Sequence, residues 1–239
     1  MKRMIFAKTV AAVVMAASLP AVAQAQIVVQ EVVRYIKPGQ RPIENVLLRN
    51  LDEKRAFSVS AEVVKELGSG SENRTYEPTK DLVIAPPAFI MRPGENKLAR
   101  MVLSKPADRD TERVYRVRFQ PSQVKGEGEV EPPKGIQTQI SFVTTTGMLV
   151  LVSPTNPAPK LTFTRTPTEV TFRNEGNITL DMRRNDNYCF DRDQTDCIEL
   201  PGTRIYPGQA WTVPLPNRPI RYSYSVYGDI SAIEIDVAK

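Results

Sequence analysis

Apolar and polar residues alternate with a period of two along much of this chain. In Val114–Phe119, Tyr115, Val117 and Phe119 are apolar while Arg116 and Arg118 are basic, the mark of a strand with one buried and one wet face. Short runs rich in Val, Ile, Thr, Phe and Tyr recur at 27–36, 43–50, 56–65, 82–84, 97–103, 114–120, 136–152, 161–163, 169–173, 178–183, 204–206, 210–213, 221–227 and 231–237, and 20 prolines punctuate them. About fourteen strands of this kind predict an all-β chain made of two sandwiches of about seven strands each. Ser153–Pro159 holds three prolines in seven residues and reads as a stiff connector between domains at 26–152 and 160–239. Helical signals are weak; Ala61–Leu67 is the best, and its valines fit a strand equally well. Gly68–Asn73 and Lys125–Gly135 read as exposed loops by composition.

One strand is unusual. From 136 onward, Ile136, Ile140 and Phe142 fall on one side with Thr138 and Thr144, while Gln137, Gln139 and Ser141 fall on the other. The run then becomes wholly apolar at Met148–Val152. A strand reaching 152 would have 17 residues, where about six is usual, and Gly147 predicts a bend or bulge within it. An ordinary core strand leading into the connector is one reading. The other is an edge strand whose apolar face pairs with another chain by β-augmentation. Arg34, alone among Val32, Val33, Tyr35 and Ile36, is either a snorkelling surface residue or a carboxylate anchor, because a guanidinium fork holds a carboxylate through two charge-assisted bonds.

Composition narrows the chemistry. Met1–Lys8 is basic, Thr9–Leu19 is apolar, and Ala23-Gln24-Ala25 offers small residues at a cleavage site, so residues 1–25 are expected to be a secretory signal peptide. Without Lys2, Arg3 and Lys8, 29 basic residues face 27 acidic ones. That near balance argues against a nucleic-acid binder. No run in the remainder is long and apolar enough to span a bilayer. The chain has no histidine, which removes Ser-His-Asp catalysis and His-ligated metal sites, and it has no phosphate-binding GxxxxGK[ST] loop. Neither catalytic residues, metal nor cofactor are expected. An alternative enzymatic reading rests on Asp191, Asp193 and Asp196, which otherwise belong to a solvated loop. The only cysteines, Cys189 and Cys197, are close together in an export context and are expected to form a disulfide.

The order of several motifs resembles one family. Pro86-Pro87-Ala88-Phe89 with Pro93-Gly94-Glu95, then Arg100, then Glu112 with Tyr115-Arg116-Val117 and Phe119, resembles the first domain of the PapD-like periplasmic pilus chaperones. Arg34, Gly39 and Asn50 carry the likeness upstream, and Asn174-Glu175-Gly176-Asn177 carries it downstream. The cysteine pair and Tyr206-Pro207-Gly208 resemble the alternate-chaperone branch serving fimbriae of the colonisation-factor-antigen type.

The resemblance implies two immunoglobulin-like sandwiches and a periplasmic chaperone that stabilises pilin subunits by donating a strand. It would then deliver them to an outer-membrane usher, and a self-capping homodimer when free is a further expected state. Ile136, Thr138, Ile140, Phe142 and Thr144 match the donor positions. Arg34 matches the first anchor for the subunit's terminal carboxylate. The family's second base falls at about Leu149, which cannot serve; either Arg34 works with another base, Arg116 or Arg118, or the alternate branch anchors subunits differently. Arg100 and Glu112 match a structural ion pair near the domain junction, with Asp229 as a third member. An exported structural or adhesive fimbrial module is the alternative reading.

Overall fold

The computed structural model describes residues 27–124, 144–182, 187–189, 197–199 and 202–236. It is all-β among these residues. The first domain contains β1 (Ile27–Val29), β2 (Val33–Ile36), β3 (Ile43–Asn50), β4 (Phe57–Leu67), β5 (Thr75–Pro78), β6 (Leu82–Ala85), β7 (Ala88–Met91), β8 (Asn96–Leu103), β9 (Arg113–Gln123) and β10 (Thr146–Val152). One sheet runs β1-β3-β8-β6; the other runs β2-β10-β9-β4-β5, with β7 also paired to β4. Their facing sides close over Ile27, Leu48, Phe57, Leu82, Met101, Tyr115 and Phe119, each fully buried or nearly so. Burying a large apolar side chain contributes roughly 1.5–3 kcal/mol, so this interior dominates the domain's cohesion.

The second domain contains β11 (Leu161–Arg165), β12 (Glu169–Asn174), β13 (Leu180–Asp181), β14 (Asn187–Cys189), β15 (Cys197–Glu199), β16 (Arg204–Ile205), β17 (Ala210–Pro214), β18 (Ile220–Val226) and β19 (Asp229–Ile235). Its sheets are β11-β12-β17 and β15-β14-β18-β13-β16, with β19 on β18. Phe172 and Tyr222, with ring centres 4.5 Å apart, sit in a separate apolar interior.

A buried asparagine closes a corner of each sandwich. Asn50 donates to the carbonyls of Arg55 (2.9 Å) and Arg92 (2.8 Å) and accepts from Asp52 N. Asn174 donates to the carbonyls of Ile178 and Ile205, both at 2.8 Å, and accepts from Gly176 N. The primary amide suits this work, because it spends two donors and one acceptor on backbone groups that burial would leave unmatched.

The structure settles one open reading, overturns one expectation and adds a contact to a third segment. Ala61–Leu67 is the far half of β4, a strand and not a helix. Gly147 makes no bulge: the β9–β10 register runs without interruption from Thr146–Phe119 to Val152–Arg113. Gly68–Asn73 is a turn clasped to the second domain, where Gln209 Nε2 donates to Ser69 O at 2.6 Å. Gly70 is required there: its φ is +77°, and a Cβ would lie 2.6 Å from Gln209 Cδ. The connector is also tied down, since Thr155 N and Asn156 N donate to the carbonyls of Asp108 and Arg109.

Candidate functional site

The β2-β10-β9-β4-β5 sheet turns one face to its own core, and part of its other face, on β2, β10 and β9, meets the second domain. Met148, Val150 and Val152 of β10 belong to the first domain's core. Leu149 and Leu151, alternating with them, are buried instead with Val114 and Tyr206, and Val33 and Tyr35 pack against this cluster. Tyr206 comes from the second domain, so the cluster is the floor of the cleft between domains. Leu149 is only 3% exposed there. A lysine at that position would be stripped of water, so an apolar residue where the family motif led to a base is physically consistent.

Toward β5 the same face turns polar. A cavity of about 500 Å³ is lined by Arg74, Tyr76, Arg116 and Arg118 from the first domain and Arg204 from the second. Arg116 Nε lies 2.5 Å from Glu66 Oε2, and the Glu66 side chain is 0% exposed. Burial works against the charge of Arg116, but the bond and charge of Glu66 outweigh it and hold the guanidinium above its ordinary pKa. Arg118 lies 3.5 Å from Glu62, with its guanidinium 5.3 Å from the centre of the Tyr76 ring. Arg204 Nε and Tyr35 OH each donate to Asp181 Oδ2 at 3.2 Å, which ties the two domains at the cavity's edge. With Nε of Arg116 taken by Glu66, the two terminal nitrogens of its fork make no hydrogen bond among the described residues. A fork end of that kind accepts a carboxylate side by side.

Arg34 does not join this group. It alternates with Val33 and Tyr35, which face the cleft, and so turns to the opposite side of β2. There it lies 3.1 Å from Glu31 and 3.9 Å from Glu44, and its Nη2 donates to Asn45 O at 3.4 Å. The anchor expected at Arg34 is thus already engaged and points away from the cleft.

The expected Arg100–Glu112 pair is also absent. Arg100 is exposed on β8, opposite Asn45 and Ala85, in the other sheet. Glu112 crosses to the second domain, where its Oε2 accepts from Thr179 N at 3.0 Å and from Thr179 Oγ1. Its second oxygen, Oε1, is buried without a partner. Burial pushes the Glu112 pKa up to about 7, against the opposing effect of the Thr179 bonds. Asp229 pairs with Lys37 at 3.1 Å, again across the domains, and not with Arg100 or Glu112. The buried guanidinium at the junction is Arg113, 3.5 Å from Asp81 and 3.4 Å from Asp108.

Ile136, Thr138, Ile140 and Phe142 lie outside the described residues, as do Asp191, Asp193 and Asp196. Thr144 is exposed just before β10. The backbone of β14 and β15 sets Cys189 opposite Cys197 in an antiparallel pair. Sequence reasoning missed Arg74 and Glu66. Glu66 shares the cleft face with Val64 and Glu62 by the alternation of β4, a signal that could have found it; Arg74 sits at the end of a polar loop and gave none.

The family model of pili and flagellar-assembly chaperones, PapD N-terminal domain, matches residues 27–158. No curated protein matches by sequence. Among solved structures, the class 5 fimbriae chaperone CfaA is 18% identical, with 89% of this chain and 100% of that one covered and a TM-score of 0.59. The E. coli chaperone DraB is 15% identical, with coverage of 89% and 96% and a TM-score of 0.59. A chain of the Salmonella enterica SafA pilin–SafB chaperone complex is 13% identical, with coverage of 91% and 99% and a TM-score of 0.58. At these identities the structural likeness establishes the fold: two immunoglobulin-like sandwiches.

Proposed function

Because this chain belongs to the PapD family of pili and flagellar-assembly chaperones, we propose that it holds fimbrial subunits in the periplasm by lending them the strand at 136–144. It is a chaperone of pilus assembly. In this reading Ile136, Ile140 and Phe142, with Thr138 and Thr144, fill a subunit groove, and β10 carries the pairing on into the first domain. The subunit's terminal carboxylate enters the cleft and meets the free fork end of Arg116, with Arg118 beside it. The observation that carries the proposal is the β2-β10-β9-β4-β5 sheet's outer face: an apolar floor around Leu149 and Leu151 running into an arginine-lined cavity between the domains. Backbone bonds along the lent strand supply affinity, and alternate side chains supply selectivity.

Several companion assignments go with it. Residues 1–25 are removed on export, the domains span 26–152 and 160–239, the loaded chaperone docks on an outer-membrane usher, and Cys189–Cys197 staples β14 to β15. Directly opposed cross-strand residues come close enough for such a bond. The alternative of a structural or adhesive module is not favoured by a family of chaperones.

The test is recovery from periplasmic extracts. Tagged parent protein is expected to copurify with a fimbrial subunit, and Phe142→Glu is expected to lose it while retaining the parent's circular dichroism. Equal recovery of the subunit with folded Phe142→Glu would refute strand donation.

A further inference from the structure

The cleft cavity carries an unbalanced charge. Four arginines line it, and three of them have a carboxylate of their own: Arg116 with Glu66, Arg118 with Glu62, and Arg204 with Asp181. Arg74 has no ion pair and no hydrogen bond among the described residues, and its side chain is exposed. One uncompensated cation is what a single entering carboxylate would neutralise. Arg74 is also held in place from a distance. It ends the turn that Gln209 grips at Ser69 O, and Gly70 is the only residue type that lets Gln209 approach so closely. Beyond Arg74, β5 pairs with β4 at Glu66–Tyr76 and Leu67–Thr75, next to the residue that orients Arg116.

We propose that Arg74 is the second cation of the carboxylate site, delivered to the cleft by a hairpin clasped to the second domain. The inference rests on the reading of Arg116 as first anchor. A carboxylate has two oxygens and about four lone-pair sites. The Arg116 fork occupies two of them from the β9 side, and Arg74 reaches the others from the β5 side. The base that Leu149 cannot provide therefore comes from a different strand. Arg34 takes no part.

The probe is an N-acetylated hexapeptide of alternating valine and threonine, prepared with a free C-terminal carboxylate and as the C-terminal amide. Binding is followed by NMR titration of the full mature chain, including the arginine Nε–H signals. The parent is expected to prefer the free acid by about tenfold, the scale of one charge-assisted pair. Arg74→Ala is expected to cut that preference at least threefold with the amide's affinity unchanged, and Arg74→Lys to restore part of it. Gln209→Ala, which frees the hairpin but leaves Arg74 in the chain, is expected to weaken the preference at least twofold. A parent that does not distinguish acid from amide overturns the carboxylate reading of the cleft as a whole. A parent preference that persists in full in Arg74→Ala overturns the role of Arg74 alone. Full preference in Gln209→Ala overturns its placement by the clasp.

Discussion

Glu112 makes the second domain's hold on the first depend on pH. Its carboxylate is buried at the junction, with one oxygen on Thr179 and the other unpartnered. Burial lifts its pKa from 4.5 to about 7. A carboxyl group whose folded value lies above its unfolded value opposes folding once it ionises. The penalty is therefore absent below about pH 4.5, grows as pH rises, and is complete above about pH 7. At about 1.4 kcal/mol per pH unit, the rise from 4.5 to about 7 corresponds to ~3 kcal/mol. Glu112→Gln removes the charge but keeps an oxygen to accept from Thr179. The expected outcome is a variant equal to the parent at pH 4.5 and more stable by ~2–3 kcal/mol at pH 8. Urea unfolding at pH 4.5, 6, 7 and 8, followed by tryptophan fluorescence and circular dichroism, measures it. Taking the difference between the two proteins cancels every other titrating group. Parallel pH profiles for the two would refute the reasoning, as would a variant that loses stability at pH 8.

The pair of Glu66 and Arg116 sets a second expectation: Arg116→Ala strands a fully buried carboxylate and is expected to cost ~3–5 kcal/mol, whereas replacing both partners together, Glu66→Leu with Arg116→Met, is expected to recover most of that in urea melts. Asn174→Ala removes two buried amide bonds to the carbonyls of Ile178 and Ile205, and is expected to destabilise the second domain by ~2–4 kcal/mol, read from its unfolding midpoint. Gly176→Ala puts a Cβ against the backbone of the connector, 2.6 Å from Lys160 N, and is expected to lower stability by ~1–3 kcal/mol, seen as a lower Tm.

What could be read from the sequence depended on the range of the cause. Alternation along β9 is local, and it sorted Tyr115, Val117 and Phe119 from Arg116 and Arg118 as the two faces of the sheet sort them. The same rule applied to β2 would have turned Arg34 away from Val33 and Tyr35, but the motif match outweighed it. The Arg100–Glu112 expectation failed because spacing along the chain does not say which sheet a strand joins; β8 lies in one and β9 in the other. The glycine- and serine-rich turn at 68–73 had the composition of a loose loop, and its clasp on Gln209 was invisible because the partner lies 140 residues away. The apolar run Met148–Val152 was conspicuous, yet its reason, burial against two different interiors, needed the second domain to be seen.

That double burial has a consequence for how β10 is aligned. A strand with one wet face reads its own alignment from its side chains, since a slip of one residue would turn apolar groups outward. From Met148 to Val152 every residue is apolar, and a slip there would cost little on that account. The alignment is instead written at the margins, where Thr146 Oγ1 donates to Ile27 O and Ser153 is tied to Tyr227 and Pro154. The strand resembles a ruler with a blank middle and marks only at its ends. Deleting a single residue from the blank part would leave both interiors with apolar residues to bury and still turn Thr146, with its bond to Ile27 O, to the opposite face of the sheet.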